Sequence, residues 1–171
     1  GEVVNLVGYD YGQKLDTRKF KGKTTVMIDV SMPMDRMETL GLGCLEFIWI
    51  DHHISALNDF LSYCQEKDYA IKKVKLNDLI DSYEVLKMNM IYYYSSKLSA
   101  CEIAASLYAQ KIGKNGRDLI KTLGQYDTWR NTEERKFVND ASWDKALRFQ
   151  YGMRTITTIN DLINEFYSNI R

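Results

Sequence analysis

Asp51, His52 and His53 stand in a row at the end of the apolar run Glu46-Phe-Ile-Trp-Ile-Asp51, and the two histidines are the only ones in 171 residues. A second aspartate, Asp29, closes an earlier run of the same kind, Thr25-Val-Met-Ile-Asp29-Val30. Carboxylates and neutral imidazoles that converge are the ligand chemistry of a divalent transition metal. Taken singly, an aspartate at a strand end usually caps the next helix, and a lone histidine is usually a hydrogen-bonded polar residue. The Asp-His-His run beside a second strand-end aspartate reverses that preference. The 23 positions from Asp29 to His52 are about what one crossover helix and one strand need, so the two can meet.

The elements that would position these residues are legible in the first third of the chain. Three β-branched, nearly continuous apolar runs, Val3 to Tyr9, Thr25 to Val30 and Leu45 to Ile50, read as strands covered on both faces. Between the second and third, Ser31 is placed to cap a helix over Ser31 to Leu40, with Pro33 in its first turn, Asp35 at its positive end, and Gly41 and Gly43 to stop it. Ser55 to Cys64 reads as an amphipathic helix with Leu57, Phe60, Leu61 and Cys64 on one side. Alternating strands and helices predict an α/β fold: an open, mostly parallel, three-layer sheet with helices on both faces, Rossmann-like, followed by a helical second half. In such sheets ligands sit beyond the carboxyl ends of the strands, where Asp29 and Asp51 fall.

Residues 69 to 95 mix strand and helix spacing and stay open between them. Ser99-Ala-Cys-Glu102 is a capping box that opens a helix carrying Ile103, Leu107 and Ile112, ended by Gly113 and Gly116. Arg117 to Leu123 reads as a further helix and Gly124 to Asn131 as a loop. Helices follow around Ser142 to Tyr151 and from Thr158. The tyrosines Tyr92, Tyr93 and Tyr94 fit packing on a sheet or interface better than base stacking.

Composition narrows the function classes. Lys+Arg 23 balances Asp+Glu 23, so no overall field draws the chain to nucleic acid or an anionic membrane. No apolar run approaches a membrane span. Cys44, Cys64 and Cys101 are odd in number and form no CxxC pair, which suits reduced thiols and a cytoplasmic location. One domain of this length buries roughly 70% of its unfolded surface, so its core needs no metal or disulfide.

The strand-borne IDHH, with IDV closing the preceding strand, resembles the DHH phosphoesterase superfamily, in particular its phage and bacterial phosphohydrolases. The likeness extends to Gly8 to Gly12, Ile50 to Ala56, Ser99 to Ala104 and Tyr126 to Trp129, and so spans most of residues 3 to 130. It implies a hydrolase that cleaves phosphate esters or anhydrides with two metal ions, usually Mn2+, with Mg2+ or Co2+ as alternatives. The resemblance assigns metal ligation to Asp29, His52 and Asp127, a catalytic contact with the substrate phosphate to His53, and an orienting role to Asp51. Ser99, at a helix N-terminus, and Arg130, near Arg135 and Lys136, are candidate substrate contacts, and Trp129 is either a stacking platform or core. The implied partner is a phosphorylated small molecule, nucleotide or short oligonucleotide, with a monomer or homodimer and no membrane.

The family's first metal motif, His-x-x-x-Asp-x-Asp after an N-terminal strand, is not found before Val3, and Asp10 and Asp16 follow the wrong strand to replace it. Its smaller substrate domain is also not found. The expectation is therefore a single DHH-type domain over 1–171 that belongs to a longer enzyme and is poorly active alone. The alternative is a catalytically inactive DHH-like module that binds nucleotide or a protein partner.

Overall fold

The structure is a computed structural model and describes residues 5, 7–9, 12–108 and 113–128. The chain divides into two compact units, Gly1–Ser96 and Lys97–Arg171. The helices expected around Ser142 to Tyr151 and from Thr158 lie outside the described residues, as do Ile112, Trp129, Arg130, Arg135 and Lys136. Of the strand expected over Val3 to Tyr9, the described residues Asn5 and Val7 to Tyr9 are in no strand.

In the first unit β1 (Thr24–Ile28) leads to α1 (Met34–Gly43), β2 (Glu46–Asp51) and α2 (Ile54–Glu66). The open stretch 69 to 95 resolves into strands: β3 (Lys72–Lys75), β4 (Asp81–Val85) and β5 (Met90–Tyr94). The sheet order is β1-β2-β5-β4-β3, parallel across β1, β2 and β5 and antiparallel across β5, β4 and β3. It is an open mixed sheet in which β4 alone runs against the rest. The late strand β5 enters beside β2 and makes β2 central, which is why Phe47 to Asp51 are all buried. β1 is an edge strand, and the continuous burial expected of it does not hold. Thr25 and Met27 are buried, whereas Val26 and Ile28 are nearly half exposed.

α1 and α2 cover the same face. Met37 and Leu40 of α1 and Ala56, Leu57, Phe60 and Cys64 of α2 share one core with Phe47, Trp49, Tyr92 and Tyr94. A helical layer on the opposite face is supplied by neither α1 nor α2. At the centre, Trp49 stacks on Tyr92 with ring centroids 4.0 Å apart, and Phe60 meets both rings edge-on. Leu61, expected on the buried side of α2, is 37% exposed and belongs to its solvent flank.

Two boundaries differ from expectation for local reasons. Ser31 does not cap α1; the N-cap is Pro33, whose carbonyl accepts from Arg36 and Met37. The residue before a proline is biased away from helical backbone, so Met32 cannot be a first helical residue and the helix starts later. Gly41 lies inside α1 because the helix there rides on the Met88 carbonyl, and a Cβ on Gly41 would stand 2.3 Å from that oxygen. The β4–β5 connection is a 3-10 turn, Leu86–Met88, closed by Asn89 at φ 47°, a left-handed conformation that asparagine tolerates.

In the second unit the Ser99–Glu102 capping box is present in both directions: Ser99 N donates to Glu102 Oε2 and Glu102 N to Ser99 Oγ. It opens α3 (Ala100–Tyr108), and α4 (Lys114–Asp127) follows with Gly113 as its N-cap. Gly116 and Gly124 to Asp127 are therefore helical rather than a stop and a loop. No described helix is long and apolar enough to cross a membrane.

Candidate metal centre

β1 and β2 are parallel neighbours in the register Ile28↔Ile50, so their carboxyl ends finish side by side. Asp29 N continues the ladder by donating to Ile50 O at 2.9 Å. Asp29 then leaves the sheet at φ 61°, in the left-handed region where aspartate is among the few tolerated residues. Just beyond it, the Trp49 indole N–H donates to Val30 O at 3.0 Å and ties the segment leaving β1 to the buried centre of β2.

Asp51 is 1% exposed. Its Oδ1 accepts the backbone N–H groups of His52 (2.7 Å) and His53 (3.2 Å) and stands 2.6 Å from His53 Nδ1. The aspartate thus bends the chain from strand into α2, whose N-cap residue is His53 and offers no side-chain cap of its own. An oxygen already accepting two N–H groups is an acceptor toward a third, so Nδ1 carries the proton and Nε2 is left facing outward. The sequence reading gave Asp51 an orienting role, and the ring it reaches is that of His53. The side chain of His53 is 48% exposed, that of His52 11%.

His52 Nε2 lies 3.3 Å from Asp29 Oδ1. Two ligands each about 2.0–2.2 Å from one ion are separated by roughly 3.0 to 3.5 Å at right-angle to tetrahedral geometry. The observed spacing suits a shared cation. Asp29, Asp51, His52 and His53 each offer one ligand atom, and these four atoms all lie within 4.8 Å of one another. Asp51 Oδ2 is buried without a hydrogen-bond partner. A carboxylate pair with two imidazoles, one carboxylate oxygen still unsatisfied, is a donor set able to hold a divalent cation. The His52 and His53 rings are 4.3 Å apart, so both sit on the same small mouth.

Of the remaining candidates, Asp127 and Ser99 belong to the second unit and Arg130 lies outside the described residues. Asp127 is the last residue of α4 in the second unit, and the group of four in the first unit is assembled without it. Ser99 is fully buried with its hydroxyl engaged by Glu102, the behaviour of a helix cap. The sequence reading missed Tyr92, whose side chain shares a face of the sheet with Asp51 and whose hydroxyl is buried without a hydrogen-bond partner. Burial, then the nearby Asp51 charge, push that phenol far above its usual range. The run of three tyrosines held no signal that the first hydroxyl would be isolated. Compared with protein-family models, curated proteins and solved structures, the chain matches none.

Proposed function

We propose that Asp29 and His52 hold a divalent cation, Mn2+ foremost with Mg2+ or Co2+ as alternatives, and that the chain is a metal-dependent phosphoesterase of DHH type. Its substrate class would be phosphate esters or anhydrides of a nucleotide or short oligonucleotide. The observation that carries this reading is the convergence of four ligand atoms within 4.8 Å at the carboxyl ends of β1 and β2. The location is where open α/β sheets bind ligands, and the group includes Asp29 and His52, two of the three metal ligands that the DHH resemblance assigns. A cation held there would supply Lewis acidity toward a phosphate oxygen and the attacking water.

The chain's own residues do the rest. Asp51, through Oδ1, holds His53 in one tautomer and one direction, so that Nε2 on its half-exposed ring meets the substrate. A protonated Nε2 donates to a phosphate oxygen as negative charge grows there, with no reorientation needed during the reaction. Asp29, at the surface, places its charge against His52 and balances the cation.

A second reading has its own support. Among the described residues this is one group of four donors, enough for one ion, whereas the two-ion mechanism needs a second set. A module that binds a nucleotide through one ion, without turnover, is consistent with that count. Mn2+ binding by calorimetry and hydrolysis of bis-nitrophenyl phosphate, each with Asp29→Ala and His52→Ala controls, separate the two. Binding with metal-dependent hydrolysis, both lost in the variants, supports the enzyme. Binding without hydrolysis supports the module, and no Mn2+ binding by the intact chain overturns both.

A further inference from the structure

We propose that Tyr92 is a positioning residue of this site: one buried water joins its hydroxyl to the free oxygen of Asp51 and so fixes the carboxylate that aligns His53. Among the described residues, two side-chain oxygens, Asp51 Oδ2 and Tyr92 Oη, are buried without a hydrogen-bond partner. They belong to neighbouring strands on one face of the sheet, since Trp49 pairs with Tyr92 and Asp51 with Tyr94 in the β2–β5 register. The Asp51 charge acts on the Tyr92 hydroxyl.

The Tyr92 ring cannot swing to solvent. It is fully buried, stacked on Trp49 at 4.0 Å and pinned edge-on by Phe60 at 5.2 Å. Buried polar groups in native proteins are satisfied by protein or by ordered water, and a water needs two to four polar partners to stay. A phenol O–H and a carboxylate oxygen are such partners. Burial keeps the phenol protonated, so it donates to the water, and the water donates to Oδ2. Oδ1 is then free to keep its three bonds to His52 and His53. Were packing the sole need, phenylalanine would serve the aromatic cluster without an isolated hydroxyl.

The inference rests on the phosphoesterase reading only for its kinetic arm. Tyr92→Phe is made in the full chain, with Tyr83→Phe as control; Tyr83 is in the same cluster, but its hydroxyl is engaged by Lys73. In metal-free protein at fixed pH, the proton NMR signal of His53 Nδ1–H is expected in wild type and Tyr83→Phe, and broadened or lost in Tyr92→Phe. Wild type should also show a long-lived water with an NOE to the Tyr92 ring, an arm that requires no variant to fold. With Mn2+, kcat should fall about tenfold in Tyr92→Phe with KM unchanged, the size typical of losing a support behind a reacting group. A folded Tyr92→Phe that keeps the His53 signal, or a wild type without the ordered water, overturns the proposal. If wild type shows no turnover, the phosphoesterase reading fails while the NMR arms still decide this one.

Discussion

Asp29→Asn is the most informative single change, because it separates charge from backbone. Asp29 sits at φ 61°, which asparagine also tolerates, so the turn out of β1 survives; alanine would add backbone strain to the loss of the ligand. Without metal the cost is small. The Asp29 side chain is 44% exposed, and its 3.3 Å approach to His52 is solvent-screened, worth about 0–1 kcal/mol. With metal the difference is large. At a Mn2+ concentration of about 100 Kd a single site stabilises the fold by about 2.7 kcal/mol. For a chain of this length each kcal/mol moves Tm by about 2–4 °C, so the wild-type shift should be about 5–11 °C. If removing the carboxylate weakens binding about 100-fold, the same Mn2+ concentration leaves about 0.4 kcal/mol, a shift of about 1–2 °C. Thermal melts with and without Mn2+ read both quantities. A wild-type melt that Mn2+ does not move, or an Asp29→Asn melt that moves equally, refutes the assignment of Asp29 as a ligand.

Other parts of the fold make further expectations. Gly41→Ala would drive a methyl to 2.3 Å from the Met88 carbonyl, and forcing α1 off the 3-10 turn should cost about 1–3 kcal/mol in urea denaturation. Glu38 accepts hydrogen bonds from the Tyr69 and Tyr63 hydroxyls, which hold its carboxyl below the ordinary glutamate range. A depressed folded pKa stabilises above the unfolded value and is lost as pH falls through the folded one. Chemical denaturation from pH 6 to pH 3 should therefore show an acid loss that Glu38→Gln lacks in part. Cys44 and Cys64 are buried, and burial pushes the Cys64 thiol up to about 11 and raises Cys44 as well. In a thiol-reagent assay both should stay unmodified in the folded chain and react on unfolding, whereas Cys101 reacts first.

What was legible in the sequence was the part written in local pattern. β2, α2 and the capping box at Ser99 follow from apolar runs, helical spacing and a polar residue three positions before a glutamate. The meeting of Asp29 with His52 follows from two strand ends one crossover apart. Long-range pairing was not legible. Residues 69 to 95 pair largely among themselves, β3 with β4 and β4 with β5, and only the long-range insertion of β5 beside β2 makes β2 central and leaves β1 at an edge. Nothing in IDHH tells which ring Asp51 holds; that depends on the chain turning into α2 within two residues, which brings His53 rather than His52 back over the carboxylate.

The indole bond from Trp49 to Val30 gives the site a mechanical character. Because Val30 adjoins the left-handed turn at Asp29, the backbone that carries the carboxylate cannot drift without dragging on a ring wedged between Tyr92 and Phe60. The entropy of immobilising that arm is surrendered during folding, not at encounter with a ligand. In the proposed metal site, a wall anchored in this manner would favour an ion that spans its preset gap over one of other size.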